Sequence, residues 1–326
     1  MKNVSILVPE DAVLASIDDP RCIFAGVNDF LTEMGKEPIF NIQLVGLTKE
    51  VKLHGGLFTV HVDKLISEVK KTDLVFVPAL AGNLQKSLDK NTAFIPWLVK
   101  QYNTGSEIAS LCIGAFMLAS TGLLNGKKCS THWRYAEMFR DMFPEIELVD
   151  DRIITEEHRL YSSGGATSYF NLLLYLVEKY TDREIAILTS KVYALEIERK
   201  SQSPFIMFNG QKGHEDIEVR KAQEFIEGNI AERISVEALA DRFAVGRRSF
   251  EKRFKKATNN TPVEYIQRVK MEAAKRSLET SRKNVNEVMY DVGYSDNKAF
   301  RNIFKRITGL SPIDYRNKYN KEAALA

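Results

Sequence analysis

Cys112 is the residue whose position most suggests chemistry. It ends the apolar run Ile108–Leu111, which reads as a buried strand, and Gly114 and Ala115 follow at once. Small residues there permit a sharp turn into a helix. A side chain at such an elbow stands above the carboxyl edge of a parallel sheet, where α/β proteins bind ligands. A helix N-terminus at that point would favour the thiolate. His132 follows twenty residues later, in the run Cys129-Ser130-Thr131-His132-Trp133. A thiol and an imidazole within reach of each other make a nucleophile and its base. The alternatives are a ligand pocket without turnover, lined by Cys112, Ile113, Gly114, His132 and Trp133, and an inert elbow. Cys22 and Cys129 read as small buried residues. His54, His61, His158 and His214 lack metal-ligand spacing, so neither a metal nor a cofactor is expected.

A second set of chemically suited residues lies near the end of the chain. Two segments match at an offset of 50, starting at Phe250 and at Phe300. Phe250/Phe300, Phe254/Phe304, Lys255/Lys305, Thr258/Thr308, Pro262/Pro312 and Tyr265/Tyr315 are identical. Each copy holds a short helix, a tight turn near Ala244 or Gly293, and a second helix starting near Arg247 or Asn297. That is the helix-turn-helix arrangement, which lays its second helix in a major groove. Helical spacing turns Phe250 and Phe254 inward and groups Arg248, Glu251, Lys252 and Lys255 on the other side. In the second copy Phe300, Ile303, Phe304 and Ile307 face inward, while Asn297, Lys298, Arg301, Asn302 and Lys305 face out. Such side chains are donors suited to base edges and phosphates. Thr261-Pro262 and Ser311-Pro312, each with an acid in the first turn, start the next helices.

Two kinds of scaffold must position these residues. Up to about residue 195, the apolar runs Val4–Val8, Phe40–Leu44, Leu74–Val77 and Ile108–Leu111 alternate with helical patterns. The helices are expected over Phe24–Met34, Phe94–Tyr102, Gly114–Leu123, Ser168–Lys179 and Arg183–Glu198, with an accessory strand within His54–Val62. Strands that are apolar throughout, separated by helices, predict a parallel sheet covered on both faces. Gly, Pro, Ser and charged residues then cluster, which places a linker at 199–216 between a front domain, 1–198, and an all-helical tail domain, 217–326.

The totals agree with two folded domains. The chain has 326 residues, of which 44% are hydrophobic and 27% charged. No run is long and apolar enough to span a bilayer and no leader pattern opens the chain, so a cytoplasmic protein is expected. An odd count of three cysteines favours free thiols. Net charge is only +3, but residues 217–326 carry 23 Lys/Arg against 15 Asp/Glu, which leaves the remainder acidic. A basic tail on an acidic front fits a polyanionic partner for the tail.

The stretch Asp291–Arg316, DVGYSDNKAFRNIFKRITGLSPIDYR, closely resembles the signature of the AraC/XylS family of transcription regulators. The resemblance covers about 217–320. It implies two helix-turn-helix units joined by a long helix, about Pro262–Ser277, that read adjacent major-groove segments of double-stranded DNA. By position in the motif, Arg248, Glu251 and Lys252 match base-facing places of the first reading helix, and Asn297, Lys298, Arg301 and Asn302 those of the second. Lys255, Lys305 and residues at the helix starts, such as Arg247, fall to phosphates. The phrase GAFMLASTGLLNGKKCSTHW, from Gly114, is similar to the PfpI-type, class I glutamine amidotransferase-like domain of the GlxA type. It implies a flavodoxin-like parallel-sheet sandwich over about 1–195, in which Cys112 and His132 take the places of a catalytic pair. Two departures weigh against catalysis. Ile113 stands where protease-like members have histidine, and Ala15 takes the place of a glutamate beside the cysteine.

The expectation is therefore a sequence-specific DNA-binding transcription regulator, not an enzyme, that acts as a homodimer. Its front domain senses a small molecule through a retired enzyme pocket or serves only for dimerisation. The alternative is an active amidase or related hydrolase tethered to a DNA-binding domain.

Overall fold

The computed structural model describes residues 1–197 and 201–320, which fall into two compact units, Met1–Gln202 and Ser203–Ala326. The boundary lies inside the expected linker. Residues 198–200, where the expected front domain ends and the linker begins, lie outside the described residues, as do 321–326.

The first unit is a sheet sandwich. Its strands are β1 (Lys2–Val8), β2 (Phe40–Gly46), β3 (Glu50–Leu53), β4 (Phe58–His61), β5 (Lys64–Leu65), β6 (Leu74–Val77), β7 (Glu107–Ser110), β8 (Lys128–Cys129), β9 (Glu147–Leu148), β10 (Ile154–Glu157) and β11 (Leu160–Ser163). Seven of them form one sheet in the order β10-β11-β7-β6-β1-β2-β5. Every pairing in it is parallel except β10 with β11. The four apolar runs expected as strands are β1, β2, β6 and β7.

Period-two alternation divides the side chains between two cores. Val4, Ile6 and Val8 of β1, with Leu74 and Phe76 of β6, pack into one core. That core is covered by α1 (Ala15–Glu33), α6 (Tyr169–Tyr180) and α7 (Arg183–Val192). Leu7, Val75, Val77 and Ile108 point to the opposite core. There they meet α2 (Leu84–Lys90), α3 (Phe94–Asn103), α4 (Ala115–Ala119) and α5 (Ala136–Met142). Helix α1 begins nine residues before the expected Phe24, because Ile17, Pro20, Ile23, Phe24 and Val27 form one buried stripe. Helix α4 is shorter than the expected Gly114–Leu123.

The second unit is all helical among the described residues. It comprises α8 (Ile217–Gly228), α9 (Val236–Arg242), α10 (Arg247–Thr258), α11 (Pro262–Thr280), α12 (Val285–Asp291), α13 (Asn297–Thr308) and α14 (Pro312–Tyr319). The repeat in sequence is a repeat in structure. Thr258 and Thr308 each cap their own helix end, with the hydroxyl donating to the Phe254 or Phe304 carbonyl at 2.8 Å. Tyr265 stands edge-on to Phe254 at 5.3 Å, as Tyr315 does to Phe304 at 5.4 Å. Thr261 caps α11 in a capping box, and Ser311 caps α14, each with proline in the first turn.

Helix α11 serves both halves. Its Tyr265, Ile266 and Val269 complete a core with α8, α9 and α10. Its Met271, Ala274 and Leu278 complete another with α12, α13 and α14. The stretch 203–216, expected as linker, runs over this unit. Lys275 Nζ donates to the Ile206 carbonyl at 2.6 Å and to Glu272 Oε2 at 2.7 Å, and the same carboxylate oxygen accepts the Phe208 amide at 3.1 Å. The ion pair is almost wholly buried. Asn260 and Gln223 bind Gln211, and Asp216 caps α8 while taking both ends of the Arg253 guanidinium.

The two helix-turn-helix turns differ in how they reach the left-handed region. Ala244 sits there at φ 52° and Gly293 at φ 73°. The left-handed conformation costs a residue with a Cβ about 1–2 kcal/mol. A Cβ on Gly293 would also stand 2.3 Å from the Ala231 carbonyl oxygen. The two positions should respond oppositely. Ala244→Gly is expected to stabilise the helical unit by about 0.5–1 kcal/mol once the larger chain entropy of glycine is set against relieved strain. Gly293→Ala should cost about 2–3 kcal/mol. Urea unfolding of the full chain, followed by circular dichroism, checks both signs.

Candidate functional site

The elbow is built by backbone contacts. Leu111 leaves β7 extended, and its amide donates to the Val77 carbonyl at 2.9 Å. Cys112 then takes φ 54°, a strained value for a residue with a side chain. Its amide donates to Ser163 Oγ at 3.1 Å, and its carbonyl accepts from Thr131 Oγ1 at 3.1 Å. Gly114 is seated against β6, where a Cβ would stand 2.4 Å from the Val77 carbonyl oxygen. It therefore shapes the elbow, and Ile113 packs against both cores.

The expected activation of the thiol is corrected by its surroundings. Cys112 is 5% exposed. Burial pushes its pKa from 9.0 up to about 12, and the hydrogen bond from the Ile113 backbone offsets only part of that. Desolvation of the thiolate outweighs the dipole of a helical segment as short as 112–119. His132 caps the short turn Trp133–Tyr135, with Nδ1 accepting the Arg134 amide at 3.2 Å. Burial, then the Arg134 charge, lowers its pKa, so the ring is neutral at pH 7. With Nδ1 an acceptor, the proton of the neutral ring sits on Nε2. Among the described residues no hydrogen bond joins Cys112 to His132. Trp133 and Tyr135 lie beside the imidazole, with ring centroids 5.6 and 6.0 Å away.

Three residues near the elbow were not singled out in the sequence. Tyr169 packs in the same core as Cys112, and its hydroxyl donates to Asp19. Burial raises the pKa of Asp19. It lies one helical turn beyond Ala15, on the same face of α1. Gln202 is buried and stitches the loops around His132. It accepts the Gly165 amide at 2.9 Å and donates to the Thr131 and Arg152 carbonyls at 2.9 and 3.2 Å. Gln202 fell in the expected linker, and Asp19 preceded the expected start of its helix. Elsewhere in this unit a cleft of about 630 Å³ opens between β10, α6 and α7, lined by Arg152, Ile154, Leu174, Tyr175, Arg183 and Ile197 among others. Among the described residues, no group of three or more His, Cys, Asp or Glu could hold a metal ion.

The helical unit presents the expected polar faces. On α10, Phe250 and Phe254 are buried, while Arg247, Arg248, Lys252 and Lys255 are exposed and Glu251 half-exposed. Arg247 is engaged within the protein: its guanidinium pairs with Glu237 and, at 3.1 Å, with Glu251. Glu251 is thereby held by a cation of its own helix, and Arg248 and Lys252 remain without a partner among the described residues. Lys255 Nζ donates to the Asn259 carbonyl at 2.6 Å.

Helix α13 is more open. Phe300 and Phe304 are buried, and Lys298, Arg301, Asn302 and Lys305 are exposed without side-chain partners among the described residues. Asn297 is bound to Asn286 at 2.6 Å, across from α12. Asp296 caps α13 through the Ala299 amide at 3.0 Å, so the helix is stable to its first turn. Free guanidinium, ammonium and carboxamide groups on one helix face have the hydrogen-bonding chemistry that suits guanine edges, phosphates and adenine edges in general.

Comparison with known proteins matches both units. Residues 239–318 match the helix-turn-helix domain of AraC type, and residues 31–179 match the DJ-1/PfpI family. The HTH-type transcriptional regulator GbdR of Pseudomonas aeruginosa is 24% identical over 245 residues, 75% of this chain and 66% of GbdR. CdhR of the same species, also an HTH-type transcriptional regulator, is 23% identical over 79% of this chain and 76% of its own length. The transcriptional activator RhaS of Escherichia fergusonii is 34% identical over 92 residues, 28% of this chain and 33% of RhaS. The match thus spans about two thirds of the length of GbdR. The crystal structure of an AraC family transcriptional regulator from Pseudomonas putida shares the fold, with a TM-score of 0.51 at 18% identity over 59% of this chain and all of that one. By sequence, by fold and by the geometry of its two units, the chain joins a DJ-1/PfpI family domain to an AraC-type helix-turn-helix domain.

Proposed function

We propose that this protein is a sequence-specific DNA-binding transcription regulator whose front domain binds a small effector without turning it over. One observation carries the reading: a basic unit that presents the same helix-turn-helix twice, each time with a buried aromatic face and an exposed face that includes donors unpaired among the described residues, Arg248 and Lys252 on the first and Lys298, Arg301, Asn302 and Lys305 on the second. A solvated helix face would not need duplication. The two reading faces are unlike, with Arg248, Glu251 and Lys252 on one and Lys298, Arg301 and Asn302 on the other. One copy therefore reads two different segments, and a homodimer would read them twice.

The elbow supports binding over catalysis. A nucleophile at pH 7 needs a thiolate fraction that a pKa of about 12 denies, and a base whose lone pair is free. His132 uses the Nδ1 lone pair on its own backbone turn. The half-buried rim of Ile113, His132 and Trp133 and the nearby Asp19–Tyr169 pair can hold a small polar ligand. The cleft of about 630 Å³ is the size of a small-molecule site.

Substitution separates base reading from backbone attraction. Arg301→Ala is expected to weaken binding to a selected duplex by about 1–3 kcal/mol and to relax preference at one base pair. Lys305→Ala should weaken binding to all duplexes alike and reduce the salt slope by about one ion. Fluorescence anisotropy against permuted duplexes measures both, and an Arg301→Ala variant with unchanged affinity and preference would count against that role.

The non-catalytic elbow has its own test. A thiol with pKa about 12 is less ionised at about pH 8 than a free cysteine by about three orders of magnitude. Iodoacetamide should therefore leave Cys112 of the native protein unlabelled under conditions that label the unfolded chain, with the rate rising only as pH climbs toward 12. Peptide mapping by mass spectrometry reads the rate. Labelling of native Cys112 at the free-thiol rate would favour the hydrolase reading.

A further inference from the structure

Lys270 lies at the middle of α11, where the two cores of the helical unit meet. Val269 before it belongs to the first core and Met271 after it to the second. Lys270 is 5% exposed. Its Nζ donates to the Glu232 carbonyl at 2.8 Å and to the Val292 carbonyl at 3.0 Å. Glu232 stands in the loop between α8 and α9, in the first half. Val292 closes α12 at the turn of the second helix-turn-helix. No carboxylate pairs with this cation among the described residues. The Tyr294 ring lies 5.6 Å away.

The surroundings are tight on both sides. Gly293 approaches so closely that an added Cβ would stand 2.3 Å from the Ala231 carbonyl oxygen and 2.7 Å from Lys270 Nζ. Ile230 packs against both cores. An ammonium taken out of water is strongly unfavourable unless oxygens replace its hydration. Here each half supplies one main-chain oxygen, and the Val292 carbonyl lies at a helix C-terminus, the negative end of the helix dipole. If either half shifted, the ammonium would lose an acceptor while still buried. The interaction therefore resists displacement, which apolar packing alone does weakly because it has no direction.

We propose that Lys270 is the positioning residue that fixes the separation and rotational phase of the two reading helices, so that the protein accepts one gap between its two DNA segments. This rests on the DNA-binding reading above. An apolar residue of similar length would keep both cores filled and lose the directional tie.

The test uses the full chain and a duplex enriched by it from a random-sequence library. A second probe carries one extra base pair between the two enriched segments, which shifts them by about 3.4 Å and about a tenth of a turn. Wild type is expected to bind the longer probe at least tenfold more weakly. Lys270→Met should bind the parent probe within about threefold of wild type and discriminate between the probes by less than threefold. Lys270→Arg, which still reaches two carbonyls, should restore discrimination. Lys270→Gln, with a neutral amide too short to span both, should behave as Lys270→Met and serves if the latter does not fold. Circular dichroism establishes that each variant is folded. Wild type binding both probes alike would overturn the proposal, as would a folded Met or Gln variant that still discriminates tenfold. Failure of wild type to enrich any duplex would instead remove the DNA-binding reading on which it stands.

Discussion

Neither half of the helical unit can bury its aromatic residues by itself, and α11 is the surface on which both are closed. Phe250 and Phe254 need Tyr265, and Phe300 and Phe304 need the second half of the same helix and Tyr315. A single helix shared between two small cores makes the reading helices parts of one body. It also creates the point at the middle of α11 where one buried ammonium meets backbone from both sides. What each reading helix presents outward is free to vary, because its inward face is already committed. That separation of faces lets one duplicated scaffold carry two unlike sets of outward side chains, which we propose read bases.

The stretch that follows the front domain is part of the same construction. Residues 206 and 208 are tied to α11 by the buried Lys275–Glu272 pair, and residue 211 reaches α8 and the end of α10. Breaking a buried pair by removing one partner is costly, because it leaves a charge unmatched. The chain between the units therefore enters the DNA-reading unit through a fixed seam. That seam ends on α11, the helix on which both cores of the helical unit close.

Much of this was legible in the sequence, and the reasons differ by region. The offset of 50 carried the turn residues, the proline starts and the aromatic pairs, because the same short-range chemistry has to be solved twice. The outward faces of α10 and α13 followed from helical period alone. The parallel sheet followed from four apolar runs. Other features depended on distant partners. Arg247 is exposed as expected, but its engagement with Glu237 requires knowing how α9 lies against α10. Lys275 and Glu272 look like an ordinary surface pair three residues apart, and only the returning chain buries them. The first helix was expected only from Phe24, whereas α1 already runs through Asp18-Asp19-Pro20 and brings Asp19 to Tyr169. The elbow was found from Cys112 and Gly114, yet the ionisation of its thiol turned on burial, which residue order does not display.

In the proposed function, one chain reads two neighbouring major-groove segments with two unlike helices. Methylation interference on a duplex enriched by the full-length protein tests it most directly, since guanine N7 lies in the major groove. Two clusters of interfering guanines are expected per copy, on one face of the duplex and about one helical turn apart, with different sequences in the two clusters. A single cluster, or interference spread without regard to the helical face, would contradict it.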